Sequence, residues 1–295
     1  MFESISVIGG DMRSLTLCEE LRKSGYRVFL YGFENAPIAD MRIRTEASLS
    51  FTLDSDIVIL PVPVSFDTKT LNMPFSDKEV RLDEIIEKIN PLSVVFGGRI
   101  NKELAEAFEK RGIAFRDYMT REELAVKNAV PTAEGAIEIA MAKTPFVLHG
   151  SKCLVLGYGK IGKILSQMLY GLGAQTYVEA RKFADLAMIE GHGYEAVPLC
   201  ELKNRIHEFD VVFNTVPSLI LPETILENMN KHTLIIDLAS KPGGVDFEAA
   251  KKLQIQAIHA LSLPGKVAPV TSGMIIRDTI LNILTEMGGV ERGFI

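Results

Sequence analysis

The chain alternates short apolar runs with longer segments in which apolar residues recur at helical spacing. Apolar runs in its first part predict strands at 5–8, 27–31, 56–60, 93–96 and 113–115. Between them, helices are predicted over 13–23, from a capping-box sequence at Ser76 and Glu79 to about residue 89, and over 101–110. Strands that alternate with helices in this way predict a parallel α/β sheet.

A second series of alternating elements follows a predicted helical crossover. Thr120 and Glu123 have capping-box spacing, and Pro131 is expected to divide the crossover into two helices ending near residue 143. Strands are then predicted at 153–156, 176–178, 194–197, 211–215, 234–238 and 255–260. A final amphipathic helix over about 272–287 is expected to pack back on the first domain, followed by a loose tail from Gly288.

These elements predict an α/β protein with two Rossmann-like domains, whose parallel sheets face each other across a cleft. The N-terminal domain is expected to comprise residues 1–125, the crossover helix 131–143 and the C-terminal segment 270–295. The second domain is expected to comprise residues 145–268. A length of 295 residues agrees with this division, since each domain is large enough for its own core.

The most informative motif is the glycine turn 157–162, with the sequence Gly-Tyr-Gly-Lys-Ile-Gly. It follows a predicted strand, opens a predicted helix and precedes another strand, all within about 30 residues, which is the context of a dinucleotide-binding site. Gly157 is expected to make the tight turn, Gly159 to admit a pyrophosphate, and Gly162 to let the helix pack on the strand. Amides at the helix start would hold the phosphates.

The end of the following strand bears on which dinucleotide binds. An acid that bonds the ribose 2′-hydroxyl usually stands there, about twenty residues beyond the turn. Here that position falls on Ala180, with Arg181 and Lys182 behind it, and alternation turns Glu179 to the opposite face. The two cations suit a 2′-phosphate and favour NADP, and the alternative is that they are merely part of a solvated turn. A one-residue slip would bring Glu179 into the site and favour NAD.

The residues expected to contact the coenzyme come from the glycine turn and from three later strand ends. They are Gly157, Tyr158, Gly159, Lys160, Ile161, Gly162, Ala180, Arg181, Lys182, Asn214, Thr215, Val216, Pro217, Leu238 and Ala239.

Composition excludes several classes of protein. A net charge of −6 argues against non-specific nucleic-acid binding, which requires a basic surface. The three cysteines form no C-x-x-C pair, and Cys153 lies in a predicted core strand, so a reduced cytoplasmic setting without disulfides is expected. No basic leader and no apolar run of about 18 residues is present, so neither a signal peptide nor a membrane span is expected.

Ligands of open parallel sheets lie beyond the carboxyl ends of the strands, and polar residues gather at those positions here. They are Asp11, Arg13, Ser65 and Arg99 in the first domain, Thr132 and Glu134 in the crossover, and Asn214, Ser218, Ser240 and Lys241 in the second domain. Each one alone could be a helix cap or a solvated loop residue, but the set indicates a substrate site. The cations suit a carboxylate, and the helix start at Arg13 would add backbone donors.

The first glycine turn and the histidines are less informative than the glycine turn 157–162. The turn Gly9-Gly10-Asp11 lacks the third glycine, and it is interpreted as an anion or substrate turn and not as a second nucleotide site. Of the five scattered histidines, His259 is the best general-base candidate, although a packed or surface role is commoner for such a residue. No metal-ligand spacing and no nucleophile motif is found.

Motifs along nearly the whole chain resemble the family of dipicolinate synthase A subunits. In the first half they are Val7-Ile8-Gly9-Gly10-Asp11-x-Arg13, Pro131-Thr132-x-Glu134-Gly135 and His149-Gly150-Ser151. In the second half they are the glycine turn, Asn214-Thr215-x-Pro217-Ser218, Asp237-Leu238-Ala239-Ser240-Lys241-Pro242-Gly243-Gly244-x-Asp246-Phe247, and Leu263-Pro264-Gly265-x-Val267-Ala268-Pro269. More distantly, the layout is similar to alanine dehydrogenases and 2-hydroxy-acid dehydrogenases. Arg99 does not belong to this family pattern.

The resemblance implies a function and partners. It implies NADP-dependent oxidation of a dihydrodipicolinate-type ring, derived from 4-hydroxy-tetrahydrodipicolinate, to pyridine-2,6-dicarboxylate. It also implies a flavoprotein-like B subunit, a homo-oligomer within the complex, and a role in endospore formation in the mother-cell cytoplasm. For such a diacid, Arg13 and Lys241 are the expected carboxylate contacts, with Asp11, Ser65, Thr132 and Ser218 nearby. Glu134 or a water is the expected base.

Two other functions remain open. One is a stand-alone alanine-dehydrogenase-like or 2-hydroxy-acid dehydrogenase, which would need a catalytic His or Lys at the nicotinamide. The other is a non-catalytic nucleotide-binding subunit whose partner performs the chemistry.

Overall fold

The computed structural model describes residues 4–38 and 44–288, which form two compact units. The first unit combines the chain up to Ala125 with the chain from Ala268, and the second is Val126–Val267. Residues 289–295, which contain most of the tail expected to be loose, lie outside the described residues. None of the described helices is long and apolar enough to cross a membrane.

Twelve strands and twelve α-helices make up the described chain. The strands are β1 Ser4–Ile8, β2 Arg27–Tyr31, β3 Arg44–Thr45, β4 Ile57–Ile59, β5 Val94–Gly97, β6 Ala114–Asp117, β7 Lys152–Leu156, β8 Gln175–Ala180, β9 Glu195–Pro198, β10 Val211–Asn214, β11 Leu234–Asp237 and β12 Gln256–His259. The helices are α1 Met12–Lys23, α2 Leu49–Thr52, α3 Leu82–Lys88, α4 Lys102–Lys110, α5 Glu122–Lys143, α6 Lys160–Gly171, α7 Phe183–Gly191, α8 Leu202–Arg205, α9 Glu223–Leu226, α10 Phe247–Lys252, α11 Leu263–Val267 and α12 Pro269–Glu286.

Each unit contains one parallel six-stranded sheet, and the two sheets have the same topology. The strand order is β3-β2-β1-β4-β5-β6 in the first unit and β12-β11-β10-β7-β8-β9 in the second. Both correspond to the Rossmann order 3-2-1-4-5-6, which reverses between the first and fourth strands of the unit. The prediction of two Rossmann-like α/β domains is therefore confirmed. Ligands of this topology bind at the reversal point, beside β1 and β4 or beside β7 and β10.

Burial on both faces explains why the strands are continuous apolar runs. In the first unit, one face of the sheet packs under α1 and α12, and the other packs under α2, α3 and α4. The second unit has two such cores as well, and the four residues of β10, Val211–Asn214, are all buried. A strand covered on both faces has no solvent side, so the sequence shows no alternation of apolar and polar positions.

The start of α3 differs from the prediction. The capping-box sequence at Ser76 starts no helix, and the Ser76 hydroxyl accepts a hydrogen bond from the Lys78 N–H within a turn. Val80 and Leu82 instead pair through their backbones with the segment 69–71, with an antiparallel bridge between Thr70 and Arg81. That pairing holds the backbone extended, so α3 begins only at Leu82.

The crossover also differs, because α5 is a single helix that runs through Pro131. Its side chains Ala133, Ala136, Ile137 and Ala140 belong to one core of the second unit. This continuous packing offsets the hydrogen bond that proline cannot donate. The same packing places residues 131–143 with the second unit, whereas the sequence pattern grouped them with the N-terminal domain. The four-residue helices α2 and α9 were missed, since they are too short for a periodic pattern.

The C-terminal helix packs against α1, as predicted. At Gly273 the two helices approach so closely that a Cβ atom would lie 2.6 Å from the carbonyl oxygen of Arg13 and 2.7 Å from Cβ of Thr16. Arg277 of α12 also donates to Glu20 of α1 at 2.8 Å. The backbone contact at Gly273 therefore sets the distance between the helices.

We expect Gly273→Ala to lower the free energy of unfolding by about 1–3 kcal/mol, because the added methyl group would separate α12 from α1. The sign is informative, since glycine-to-alanine changes inside helices ordinarily stabilise by up to about 1 kcal/mol. Gly171→Ala in α6 is the matched control, since no described atom outside its own helical turn lies within 4 Å of its Cβ position. Chemical denaturation of both variants decides; a Gly273→Ala protein as stable as wild type would contradict the contact.

Candidate functional site

The glycine turn 157–162 lies at the reversal point of the second sheet, between the end of β7 and the start of α6. Gly157 has a φ of +89°, which makes the tight turn and is disfavoured for other residues. A Cβ atom on Gly162 would lie 2.0 Å from the carbonyl oxygen of Gly157. Apart from Gly159 itself and its two chain neighbours, no described residue has an atom within 4 Å of the Cβ position of Gly159, the residue that precedes α6. The turn thus has the three glycine environments that a pyrophosphate site requires.

The corresponding turn of the first unit, Gly9–Asp11, is covered by the chain itself. The Gly10 N–H donates to the carbonyl oxygen of Asn72 at 2.9 Å, and Cγ of Met73 lies 2.7 Å from the Cβ position of Gly9. At the start of α1, the Asp11 carboxylate accepts from the Arg13 N–H at 3.0 Å. The turn therefore has no open cradle for a nucleotide. The backbone donor expected at Arg13 for a substrate is already used by Asp11.

Beside the glycine turn of the second unit, hydrogen bonds hold the end of β10 in place. The Thr215 hydroxyl donates to the carbonyl oxygen of Leu156 at 2.9 Å, which joins β10 to β7. The Asn214 side chain accepts from Val216 N–H and donates to Val216 O, both at 3.0 Å. Cγ2 of Val216 lies 2.8 Å from the Cβ position of Gly157. The structure thus brings these predicted coenzyme residues together with the glycine turn, and Pro217 and Ser218 follow as residues with solvent exposure.

The loop 239–244, which follows β11, is anchored by a buried carboxylate. Asp237 accepts from the side chain of Asn214 at 2.7 Å and from the backbone N–H groups of Ala239 and Gly244 at 3.0 and 2.8 Å. Leu238 and Ala239 are buried, whereas Ser240 and Lys241 are exposed. The loop therefore presents a cation at the carboxyl edge of the sheet.

His259 supports this loop and is not placed as a general base. Its Nε2 is 2.9 Å from the carbonyl oxygen of Ala239. Because a carbonyl can only accept, Nε2 carries the hydrogen of this bond. The ring also stacks on Phe247 with centroids 5.2 Å apart. The packed role that the sequence analysis regarded as commoner is the one observed.

At the end of β8, Glu179 and Ala180 point to opposite faces, as alternation predicts, but the side chain that reaches the glycine turn is that of Glu179 and not, as expected, that of Ala180. Ala180 lies in the core with Val178, while Glu179 is 2% exposed and its Oε2 accepts from the Gly157 N–H at 3.2 Å. Its Oε1 is buried without a hydrogen-bond partner in the described chain. Burial raises the pKa of the Glu179 carboxyl, and the Gly157 N–H and the charge of Arg181 oppose that rise. Arg181 and Lys182 are exposed immediately beyond the strand.

Two of the four candidate residues of the first unit, Asp11 and Arg13, are paired with each other. Nε and Nη2 of Arg13 donate to the Asp11 carboxylate at distances between 2.7 and 3.1 Å, and Nη2 also donates to Val62 O. Only Nη1 of Arg13 is left without a hydrogen bond among the described residues. The Ser65 hydroxyl donates to Asp67 at 2.9 Å. Arg99 has a φ of +59°, and its exposed side chain follows the end of β5.

The structure does not bring the crossover candidates to the glycine turn. The Thr132 hydroxyl donates to the carbonyl oxygen of Asn128 within α5. Glu134 is exposed on an apolar groove that it lines with Met168 and Leu172 of the α6 region. Since an α-helix rises about 1.5 Å per residue, those two residues lie roughly 14 and 20 Å along α6 from Gly159. Glu134 is therefore poorly placed to act as a base beside the turn.

Sequence reasoning assigned no role to Asp237 or Asn72. Asp237 could have been found, because an acid at the end of the apolar run 234–236 must be paired when it is buried. Asn72 contributes through its backbone carbonyl, which any residue possesses, so no signal in the sequence marks it.

A matched pair of substitutions tests the glycine turn. We expect Gly159→Ala to fold with nearly unchanged stability and to lose about tenfold or more in dinucleotide affinity, because its methyl group fills the open side of the turn. Gly162→Ala should instead lower the free energy of unfolding by about 1–3 kcal/mol or more, because the methyl group overlaps Gly157 O. Calorimetry with NADP and with NAD measures the change in affinity, and chemical denaturation measures the change in stability. A Gly159→Ala protein that binds both as wild type does would refute the site.

The burial of Glu179 predicts a pH effect. Between the ordinary pKa of an unfolded glutamate and the raised pKa of Glu179, the folded state binds more protons than the unfolded state. The contribution of Glu179 to stability is therefore present at low pH and is lost as the pH rises through the folded pKa. Glu179→Gln should remove this loss, so its stability relative to wild type should increase with pH over that interval. Parallel stability curves from denaturation between pH 4 and 8, roughly the range of perturbed carboxyl groups, would contradict the prediction.

Comparison with known proteins gives a consistent result. The family model for the N-terminal domain of the dipicolinate synthase A subunit matches residues 4–119, and that for shikimate/quinate 5-dehydrogenase matches residues 138–262. The dipicolinate synthase A subunit of Bacillus subtilis (strain 168) is 34% identical over 291 residues, covering 97% of each chain. An L-alanine dehydrogenase structure at 16% identity, with a TM-score of 0.70 over 98% of this chain and 90% of its own, shares the fold alone.

A crystal structure confirms the resemblance indicated by the motifs. The dipicolinate synthase A subunit from Bacillus halodurans superposes with a TM-score of 0.88 at 33% identity, over 96% of this chain and 97% of its own. Similarity of this degree extends through both units and is not limited to the glycine turn. The chain belongs to the family of dipicolinate synthase A subunits.

Proposed function

We propose that this chain is an NADP-dependent oxidoreductase that converts a dihydrodipicolinate-type ring to pyridine-2,6-dicarboxylate, in the service of endospore formation. The name of its relatives supports the product, since they are dipicolinate synthase A subunits. The observation that carries a dinucleotide-dependent reaction is the open side of the glycine turn at Gly159. The first-unit turn is closed by Asn72 and Met73, which supports the second unit as the coenzyme unit.

The residues of the second unit fit a dinucleotide. Gly159 leaves room for a pyrophosphate beside the first amides of α6, and Lys160 is exposed at the same helix start. At the end of β8, the carboxylate of Glu179 is turned inward to Gly157 and is almost wholly buried. Arg181 and Lys182 are exposed where the adenosine ribose would lie. Cations without an exposed carboxylate favour a 2′-phosphate, and therefore NADP over NAD.

The main task of the protein in this reaction is to orient the substrate ring against the nicotinamide. When bound, the nicotinamide ring of NADP⁺ supplies the acceptor for a hydride from a ring carbon of the substrate. A proton is lost as well, and the product ring becomes aromatic, so a strong base is unnecessary. We assign the proton to water, since Glu134 lies on a groove of α5 and α6.

Cationic and hydroxyl groups at the strand ends are the proposed contacts of the diacid. In the second unit these are Lys241, on the anchored loop 239–244, and the exposed Ser218. In the first unit the proposed contact is Nη1 of Arg13, whose other donors are held by Asp11. Ser65 contributes less in this proposal, because its hydroxyl already donates to Asp67.

The names of the relatives also support a partner. They are A subunits, so we propose a second, B-type subunit with a flavoprotein-like fold and a homo-oligomer of this chain within the complex.

NADP⁺ reduction by the purified full-length chain tests the function. We expect reduction with the dihydrodipicolinate-type substrate, slow alone and faster with the B-type partner. Arg181→Ala should weaken NADP binding by about tenfold to a hundredfold, the effect of one charge-assisted hydrogen bond, and leave NAD binding unchanged. Arg111→Ala, which removes an exposed arginine of the first unit, is the charge-matched control.

Three outcomes are decisive. Absence of NADP⁺ reduction with the partner present would refute the dehydrogenase activity. Tighter binding of NAD than of NADP by the wild-type protein would refute the coenzyme preference and assign the ribose diol to Glu179. Equal losses in Arg181→Ala and Arg111→Ala would show that net charge, and not a 2′-phosphate contact, governs the affinity.

A further inference from the structure

Asp237 is a fully buried acid at the carboxyl end of β11. Its Oδ1 accepts from the Asn214 side chain and from the Ala239 N–H, and its Oδ2 accepts from the Gly244 N–H, at distances between 2.7 and 3.0 Å. A buried carboxylate without such donors would cost several kcal/mol. The carboxylate therefore holds three donors that come from β10 and from both ends of the loop 239–244.

The glycines of this loop make the arrangement possible. A Cβ atom on Gly243 would lie 2.5 Å from Oδ2 of Asp237, and one on Gly244 would lie 2.4 Å from Nδ2 of Asn214. Gly243 also has a φ of +92°. The loop thus closes directly onto the carboxylate, with no room for side chains between them.

Lys241 is carried on the outer side of the closed loop. The Gly243 N–H donates to the carbonyl oxygen of Ser240 at 2.9 Å, which makes a tight turn with Lys241 inside it. On the other side, the His259 ring donates to Ala239 O. The backbone of Lys241 is therefore fixed from both ends, whereas its side chain is exposed.

We propose that Asp237 is the positioning residue for Lys241. By anchoring both ends of the loop 239–244, it fixes the backbone from which the Lys241 ammonium group binds a carboxylate of the substrate. The identity of that ligand depends on the proposed function. Asp237 is fully buried, so it acts on the diacid through the loop and not by direct contact.

Hydrogen exchange of the full-length chain tests the anchoring without any ligand. In Asp237→Asn one amide hydrogen must face a former donor, so we expect peptides covering residues 238–245 to exchange at least about tenfold faster than in wild type. Asp210→Asn is the matched control, because Asp210 accepts from Lys152 N–H at the opposite edge of the same sheet. Unchanged exchange at 238–245 in Asp237→Asn would overturn the proposal.

A double-mutant cycle tests the action through Lys241. The affinity for pyridine-2,6-dicarboxylate, measured by calorimetry with saturating NADP, should fall about tenfold in Lys241→Ala and by a similar factor in Asp237→Asn. The double variant should bind no more weakly than Lys241→Ala, because the anchor has nothing left to position. Losses that multiply in the double variant would indicate a general structural role and overturn the proposal, as would an unchanged affinity in Lys241→Ala.

The outcomes separate this proposal from the proposed function. A wild-type protein that does not bind the diacid refutes the substrate and the carboxylate role of Lys241, and the exchange experiment still decides whether Asp237 anchors the loop. If Asp237→Asn does not fold, His259→Phe removes one donor to the loop and keeps an aromatic ring on Phe247. It should increase exchange at 238–245 above the wild-type rate, and no increase would count against the anchoring.

Discussion

The approach of Gly162 to the carbonyl oxygen of Gly157 is the constraint on which the second unit depends. A Cβ atom would have only 2.0 Å there, so the third glycine allows α6 to start directly above the end of β7. The first amides of α6 consequently stand beside Gly159, where the side of the turn is open. The third glycine thus allows the packing, and the second allows the approach of a ligand. A single turn satisfies both requirements because different glycines meet them.

Comparison of the two units shows why topology alone does not make a coenzyme site. Both sheets have the Rossmann order, and both have glycines after their first strand. In the first unit, Asn72 and Met73 take the backbone donor and the space at the turn, and Asp11 caps the helix. In the second, no side chain of the described residues caps α6. The difference lies in one loop and one capping residue, which agrees with the general separation of fold and function.

Features that depend on local interactions could be predicted from the sequence, whereas features that depend on contacts between distant residues could not. The glycine turn and the α/β pattern are local, so they were predicted with their residues. The predicted start of α3 was wrong because Thr70 and Arg81 pair across a loop. The predicted helix break at Pro131 was wrong because the core packing of α5 outweighs the hydrogen bond that proline cannot donate. The ion pair of Arg13 with Asp11 limits that arginine as a carboxylate contact. The sequence alone does not show whether neighbouring charged residues such as Asp11 and Arg13 form an ion pair with each other or bind a ligand.

The two buried acids of the second sheet, Glu179 and Asp237, differ in how fully their carboxylate oxygens are hydrogen-bonded. Asp237 has a donor for each oxygen and holds a loop, whereas Glu179 has one oxygen satisfied by Gly157 and one buried without a partner in the described chain. An unsatisfied buried oxygen costs about 1–3 kcal/mol, and such costs are expected at functional sites. Under the proposed function, the small diacid, which demands accurate orientation, binds beside the loop that Asp237 anchors. The end of β8 receives the adenosine of the coenzyme, and the exposed cations Arg181 and Lys182 contact it with less exact geometry.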